Sequence, residues 1–403
     1  MFYDDSFSTL KDSEIIENRS PFGAGISIDK SNTMITNCLI ANNSGMESDW
    51  GGSWGGGISI EESNIQINNC TINNNMADNG GGIYSLSSWF YLKNMLIDGN
   101  KAENSYKAGK GGGFFIEDSH IYLINSLIVS NSADDGSIVC CQKNSFQSFI
   151  FSTIACNSPE KSGDFFASSD STNKILNSIL WDNGEDQFSG PVIIENSDIE
   201  GGYQGEGNIN KDPCFVSGPR GDYYLGCLSA GQDCDSPCIN TGNKDSWFKY
   251  IQESTTRTDG IMDKGDVDMG YHYPLHIQFK LYRSPNKLRF YNGDNVKILL
   301  DLETAPGTFN TDIYLYMVDP DGNFWSGADW SEGLNPILSN YSIPGNLLLK
   351  NATLLTLSIP EDSPRIKNPG DYTFYLGATL PESDEFISNL EKLSVTFYEG
   401  EMQ

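Results

Sequence analysis

Three observations predict an all-β chain, a right-handed parallel β-helix followed by an immunoglobulin-like β-sandwich. A seven-residue motif (Asn, small residue, any, Ile or Leu, any, any, Asn) recurs through the first half of the chain, at steps mostly in the twenties. A glycine cluster and an apolar alternation precede several copies. Residues 1–200 contain no long run with helical apolar spacing. A repeat of this length is typical of a solenoid.

Each repeat is predicted to form one coil. The clear copies of the motif are NCLIANN from Asn37, NCTINNN from Asn69, NMLIDGN from Asn94, NSLIVSN from Asn125 and NSILWDN from Asn177. Around the second copy the chain reads as a glycine turn, then the strands GISIEES, NIQINN and CTINNN, then a polar loop. The alternation of Ile58, Ile60, Ile65 and Ile67 indicates half-buried strands.

Stacked coils place equivalent residues in ladders about 4.8 Å apart. One predicted ladder is apolar and internal: Ile40, Ile72, Ile97, Ile128 and Leu180. A second lies at a corner, where Asn tolerates left-handed backbone and its amide can bond the next coil: Asn43, Asn75, Asn100, Asn131, Asn157 and Asn183. We interpret these asparagines as structural, and the glycine clusters at Gly55 and Gly111 as tight corners that need positive φ.

The motif ends after Asn196, and three segments then resemble the end of the secreted bacterial β-helix proteins of the choice-of-anchor Q group. They are DPCFVSGPRGDYYL from Asp212, AGQDCDSPCINTG from Ala230 and TRTDGIMDKGDVDMGYHY from Thr256. Asn240 is a departure, because that family usually has Asp there. The resemblance implies a secreted or surface protein with a separate C-terminal domain. It does not imply that the protein is an enzyme, because the family is defined by its architecture.

Three regions are therefore predicted: the β-helix over 1–212, its C-terminal cap over 213–276 and a β-sandwich over 277–403. The cap is expected to cover the last coil with Phe215, Tyr223, Tyr224, Tyr271 and Tyr273. Strand-like runs separated by turn signals, such as DPDGN from Asp319, predict the sandwich. The first coil begins near Asp12 with an uncapped edge, so we expect the β-helix to continue upstream of Met1 or to stack on another subunit.

Charge narrows the possible partners. The chain has 54 Asp and Glu residues against 25 Lys and Arg, a net charge of −29. Nucleic acid and anionic membranes require clustered cations, so the expected partners are cations, glycans or other surface proteins. The apolar stretches are too short to span a bilayer.

A calcium site is predicted in the loop that carries Asp259, Asp263, Asp266 and Asp268, because oxygen-rich loops suit Ca²⁺. The spacing lacks the terminal Glu of an EF-hand. The alternative is a solvated acidic turn, or Asp268 bonding backbone within the cap.

Two further groups of side chains are candidates for functional or covalent sites. Trp50, Trp54 and Trp89 could form an aromatic strip that stacks on sugar rings; alternatively they pack over the β-helix. Disulfides are expected among Cys214, Cys227, Cys234 and Cys238, with free thiols or a metal site as alternatives, although no CxxC pair is present.

The function predicted from these features is non-catalytic, structural or adhesive, at the cell surface or outside the cell. The alternative is a polysaccharide lyase or hydrolase with its active residues on the inserts 44–54 and 101–110. Against it, the coils carry the single arginine Arg19 and the lone histidine His120. A third possibility is a filament subunit that assembles through the open N-terminal coil.

Overall fold

The computed structural model describes residues 6–46, 52–104, 107–159, 166–168, 171–184, 188–244, 248–251, 254–262, 266–275, 277–286, 289–291, 295–305, 308–326, 331–332, 336–344, 347–358, 370–379, 388 and 390–397. The chain divides into two compact units. The β-helix unit comprises 1–215, 225–251 and 264–272, and the sandwich unit comprises 216–224, 252–263 and 273–403. The segment 213–276, expected as one cap, is thus shared between the two units.

The β-helix unit is built from coils that pass in order through four parallel sheets, here called A, B, C and D. Sheet A contains Ile26–Asp29, Ile58–Glu61, Ile83–Leu86, Phe114–Glu117, Val139–Gln142, Phe166–Ser168 and Phe188–Ser189. Sheet B contains Ser6–Lys11, Ser31–Thr36, Asn64–Asn68, Trp89–Lys93, His120–Ile124, Phe146–Ile150, Thr172–Leu176 and Val192–Glu195. Sheet C contains Glu14–Ile16, Leu39–Ala41, Thr71–Asn73, Leu96–Asp98, Leu127–Val129, Thr153–Ala155, Ile179–Trp181 and Asp198–Ile199. Sheet D contains Arg19–Ser20, Ser44–Gly45, Met76–Ala77, Lys101–Ala102, Ser132–Ala133 and Ser158–Pro159. The predicted parallel β-helix is confirmed.

Sheet D is a difference from the sequence prediction, which gave each coil three strands and a polar loop. Its strands are two residues long, too short to produce an alternation. Ala77, Ala102 and Ala133, each two residues after a corner asparagine, are buried in these strands. Their small side chains allow the short strands of successive coils to pack against the core.

The core of the β-helix unit is a stack of inward-facing aliphatic side chains. In sheet C, Ile40 pairs with Ile72, Ile72 with Ile97, and Ile97 with Ile128. The ladder continues through Ile154 to Leu180. All six side chains are fully buried, and burying each one stabilises the fold by about 1.5–3 kcal/mol.

An asparagine ladder closes the corner between sheets C and D. The side-chain amide of Asn43 donates to the side-chain oxygen of Asn75 at 2.9 Å, and the same bond links Asn75 to Asn100 at 3.0 Å. Asn131, Asn157 and Asn183 extend the ladder. The left-handed backbone lies one residue earlier than expected, at Asn42 (φ 56°) and Asn74 (φ 52°). The ladder asparagines themselves therefore satisfy buried polar groups, while the preceding residue makes the turn.

A second asparagine ladder follows the corner between sheets B and C. Asn125 donates to Asn94 at 2.9 Å, Asn94 to Asn69 at 2.9 Å, and Asn69 to Asn37 at 3.3 Å. These residues have positive φ, near 50°. They are the first asparagines of the repeated motif, so the motif's two ends mark two different corners.

The segment that follows the coils contains the strands Phe215–Gly218 and Gly221–Leu225, the 3-10 helices Leu228–Ala230 and Phe248–Tyr250, and the strands Ser254–Thr255 and Tyr273–Pro274. Residues 270–272, within the β-helix unit, lie along the B–C corner. The Gly270 amide donates to the Asn177 carbonyl at 2.8 Å, the Tyr271 amide to the Thr153 hydroxyl at 2.9 Å, and the His272 amide to Asn125 Oδ1 at 2.8 Å.

The five aromatics expected to cover the last coil have different surroundings, and the expectation of a cap stays a prediction. The Tyr271 amide reaches Thr153 on an inner coil, because polar groups at that corner offer partners to a returning backbone. Phe215 packs near Ile179. Tyr224 and Tyr273 stack on each other within the sandwich unit, with their centroids 3.8 Å apart.

The sandwich unit contains two sheets that are largely antiparallel, as predicted for an immunoglobulin-like module. One contains Ile277–Ser284, Asn295–Thr304 and Leu348–Ser358. The other contains Arg289–Phe290, Thr308–Val318, Phe324–Ser326, Ser331–Glu332, Leu338–Pro344, Gly370–Thr379 and Glu391–Phe397. Phe279 and Ile298 from the first sheet pack with Leu315, Phe374 and Val395 from the second in one buried cluster.

In the described part of the chain, no helix is long and apolar enough to cross a membrane.

Candidate functional site

The outer face of sheet B carries two rows of side chains that the parallel register aligns. The first row joins Phe7, Asn32, Asn64, Trp89, His120 and Phe146, one from each successive strand. Two residues further along each strand, the second row joins Thr9, Met34, Gln66, Tyr91 and Tyr122. Because alternate residues of a strand point to opposite sides, both rows face away from the core.

A cavity of about 400 Å³ lies over this face. We call it the sheet B groove, and its outward-facing lining consists of Phe7, Asn32, Met34, Asn64, Gln66, Trp89, Tyr91 and Tyr122. Asp, Glu, Lys, Arg and His are absent from the described residues that line it. The groove extends from the strand of Phe7 to the strand of Tyr122, four strand spacings or about 19 Å.

Trp89 forms the aromatic platform of the groove. Its side chain is 55% exposed although its ring stacks on His120, with the centroids 4.1 Å apart and the planes 16° from parallel. His120 in turn contacts Phe146, at 6.1 Å between centroids. Packing against the next coil fixes one face of the indole, which leaves a rigid ring with accessible surface for a ligand.

Tyr91 lies beside a segment that packs onto sheet B. Its ring is 6.1 Å from that of Tyr250, and the Lys93 ammonium lies 5.2 Å from the Tyr250 centroid. Burial raises the pKa of Tyr91 well above its ordinary value, so this phenol is a neutral hydrogen-bonding group at physiological pH. Tyr91, which packs against Tyr250, therefore forms one wall of the groove.

Trp54 and Trp89, the two described members of the predicted tryptophan strip, do not form a single stack. Trp54 stacks on Phe22, with centroids 5.1 Å apart, and packs with Tyr84 and Phe115 on the outer face of sheet A. Trp54 forms an isolated β-bridge with Asn79, in the segment that precedes the sheet A strand of its coil. Trp89 is instead the first residue of a sheet B strand. Trp50 lies outside the described residues. Trp54 thus matches the packing alternative, and Trp89 belongs to the groove.

Of the four aspartates predicted to bind calcium, the three that the structure describes have different environments. Arg257 donates two hydrogen bonds to the Asp259 carboxylate, at 3.0 and 2.6 Å, within the sandwich unit. Asp268, in the β-helix unit, is buried and accepts the Asn240 amide at 2.7 Å. Asp266 is exposed, and Asp263 lies outside the described residues.

Among the residues that the structure describes, no group of three or more His, Cys, Asp or Glu side chains is arranged to hold a metal ion. The calcium site stays a prediction.

Carboxylates beside the long inserts hold loop backbone. Asp78 accepts both the amide and the hydroxyl of Ser53, at 2.5 and 2.9 Å. Asp134 accepts the Gly109 amide at 3.1 Å. These bonds give the two aspartates a structural role in anchoring residues near the end of each insert.

The four clustered cysteines all lie in the β-helix unit as thiols. Cys227 Sγ is 3.2 Å from the Ser229 hydroxyl, and the buried Cys238 donates to Asp198 Oδ2 at 3.1 Å. The Cys214 and Cys234 thiols are neighbours, and their interaction raises the pKa of Cys214.

Sequence reasoning missed most of the groove. Asn32, Asn64 and Gln66 carry no motif, and as a lone histidine His120 gives no sign that it supports the Trp89 ring beside the groove. A usable signal existed in the alignment of the coils, where NIQIN, WFYLK and HIYLI fall on equivalent positions and bring Asn64, Trp89 and His120 into one row.

Residues 1–95 match a family model described as the right-handed beta helix region, in agreement with the stacked parallel sheets. No curated protein matches the chain. A solved structure that matches is Pseudomonas fluorescens alkylpurine DNA glycosylase AlkC bound to DNA containing an abasic site analog, at 12% identity and a TM-score of 0.22. The match covers 31% of this chain and 31% of that one, and a likeness this low carries no argument about fold or function.

Proposed function

We propose that this protein is a non-catalytic extracellular or cell-surface protein that binds a neutral glycan along the sheet B groove. The observation that carries the proposal is the uncharged aromatic and amide lining of this groove in a chain whose net charge is −29. Trp89 and Tyr122 offer flat apolar surface, and Asn32, Asn64 and Gln66 offer amides.

The chemistry of this lining suits a sugar chain. Aromatic rings present an apolar face to the C–H surface of a pyranose, and side-chain amides can both donate to and accept from hydroxyl groups. A uronate or sulfated polymer would meet no cation in the described lining, and the acidic chain would repel it. Neutral glycans are therefore the expected ligand class.

A binding role fits the groove better than catalysis. A lyase requires a base and a counter-charge for a uronate, and a hydrolase requires paired carboxylates around the scissile bond. The described lining offers neither, and the aspartates next to the inserts are engaged with loop backbone. The lyase or hydrolase alternative would need another site.

The surface location is supported by the resemblance to secreted bacterial β-helix proteins and by the strongly acidic composition. Adhesion would follow from glycan binding by a stiff solenoid. Self-association through the first coil stays a prediction, and light scattering coupled to size-exclusion chromatography at two protein concentrations tests it separately.

Affinity electrophoresis tests the proposal directly. The purified chain is run through native gels that contain a neutral polysaccharide, such as mannan, xyloglucan or mixed-linkage glucan, and through gels with polygalacturonate. We expect retardation by at least one neutral polymer and no release of reducing ends or unsaturated products. Retardation by polygalacturonate alone, or product release, would overturn the proposal.

A further inference from the structure

The cysteine-rich segment folds around one glycine. The Gly226 amide donates to the Cys214 carbonyl at 2.9 Å, and the Ser236 amide donates to the Gly226 carbonyl at 2.8 Å. A side chain on Gly226 would begin 3.0 Å from the Cys214 carbonyl oxygen and 3.3 Å from Cys234 Sγ. The missing side chain thus lets the backbone around Cys214 and the turn around Cys234 approach each other.

Both cysteines of this pair lie against Gly226, since a side chain there would also begin 3.1 Å from the Cys234 carbonyl oxygen. The neighbouring Cys234 thiol, together with burial, raises the pKa of Cys214 to about 11. Cys214 has a left-handed backbone, with φ 51°, and its amide donates to Asp212 Oδ1 at 2.8 Å. This local turn fixes the direction of the Cys214 side chain. Both cysteines are partly exposed, so an oxidant can reach them.

The other two cysteines of the segment have different neighbours. Cys238 is fully buried and bonded to Asp198, and Cys227 is buried beside Ser229. Four cysteines allow three complete pairings. The observed contacts favour one bond and leave the remaining two residues as thiols.

We propose that Cys214 and Cys234 form a disulfide in the mature protein, while Cys227 and Cys238 remain reduced. The two thiols lose two protons and two electrons, and a sulfur–sulfur bond forms between them. The oxidant is the disulfide of a thiol oxidoreductase or of oxidised glutathione, whose own sulfur–sulfur bond breaks to give two thiols. The bond closes the loop between residues 214 and 234 and restricts the unfolded chain.

Peptide mapping of the full chain tests this assignment. The protein is expressed in an oxidising compartment, or equilibrated with oxidised glutathione, and alkylated without reductant before and after unfolding. Combined cleavage after Lys and Arg and before Asp separates all four cysteines, because Arg220, Asp222, Asp233 and Asp235 lie between them. We expect a Cys214–Cys234 cross-linked peptide, with Cys227 and Cys238 alkylated only after unfolding.

Matched variants exclude a chance cross-link. Cys227→Ser should keep the cross-linked peptide, and Cys234→Ser should make Cys214 alkylatable in the folded protein. Reductant should lower the unfolding midpoint of the wild type and leave that of Cys214→Ser/Cys234→Ser unchanged. A bond from Cys214 to Cys227 or Cys238, or alkylation of both Cys214 and Cys234 after oxidation, would overturn the proposal.

Discussion

The side-chain amide of Asn100 donates to the side-chain oxygen of Asn131 on the next coil at 3.0 Å, and both residues are fully buried. Asn100 Oδ1 also accepts the backbone and side-chain amides of Asn75, at 3.1 and 3.0 Å. Its amide donates to the Ile72 carbonyl at 2.8 Å. One side chain therefore satisfies buried polar groups on both neighbouring coils.

Removing this side chain should be costly. Asn100→Ala leaves two buried donors of Asn75 without their acceptor, at about 1–3 kcal/mol for each unsatisfied group. We expect the free energy of unfolding to fall by about 3 kcal/mol in urea denaturation. The control is Asn94→Gly, which removes a half-buried rung of the second ladder but tolerates its positive φ; it should cost less than about 1 kcal/mol. Equal losses in the two variants would contradict the structural role of the buried ladder.

The glycine corner before sheet A should reject any side chain. Gly111 has φ +70°, and a Cβ there would lie 2.1 Å from the Phe114 carbonyl oxygen. Gly184 has φ +96° with open space around it, so Gly184→Ala measures backbone strain alone, about 1–2 kcal/mol. Gly111→Ala should lower the unfolding free energy by at least about 2 kcal/mol more. If the two substitutions lower the unfolding free energy equally, the predicted clash between a side chain at Gly111 and the Phe114 carbonyl is wrong.

His272 should make the β-helix unit sensitive to acid. Burial lowers the pKa of His272 from 6.5 to about 4, and its Nδ1 lies 3.0 Å from the Gly270 carbonyl. The unfolded chain therefore takes up a proton near pH 6.5 that the folded chain accepts only near pH 4. The free energy of unfolding should therefore decrease as the pH falls from about 6.5 to about 4, by up to about 3 kcal/mol.

The control for this pH dependence is His272→Gln, which stays neutral. The difference in unfolding free energy between wild type and variant, followed by chemical denaturation from pH 7.5 to pH 4, should shrink as the pH falls. A difference that is independent of pH would contradict the neutral buried imidazole.

Calcium binding in the 259–268 loop predicts a higher unfolding midpoint in millimolar Ca²⁺. The bidentate pair with Arg257 occupies the Asp259 carboxylate, so we expect Arg257→Ala to show a larger calcium-dependent rise than the wild type. Differential scanning fluorimetry with Ca²⁺ or with EDTA measures both. No rise in either protein would contradict the calcium prediction.

The coils could be predicted from sequence because apolar core residues occupy the same positions in each repeat. Ile72 and Ile97 occupy equivalent motif positions, and in a parallel ladder equivalent positions must stack. The exact turn residue could not be predicted where two asparagines adjoin, as at Asn42 and Asn43. Both are asparagines, and only the structure shows that Asn42 adopts the left-handed turn while Asn43 forms the hydrogen-bonded ladder.

The groove is not visible in the residue composition, because the register of the strands defines it, and only an alignment of the coils would have indicated it. Asn64, Trp89 and His120 share no chemical pattern along the chain, and they form one row only after the strands are aligned. Trp54 shows the converse. Its residue type suggested a place beside Trp89, but its position before a glycine corner puts it over sheet A.

The most direct test of the account is the affinity of the Trp89→Ala variant for the neutral polysaccharide that retards the wild type, measured by isothermal titration calorimetry. We expect at least a tenfold loss, since a stacked aromatic anchor contributes about 2 kcal/mol. Trp89→Phe should keep part of the affinity. Phe22→Ala, which removes an exposed aromatic residue from the other stack, should bind as the wild type does. Unchanged affinity in Trp89→Ala would contradict glycan binding in the sheet B groove.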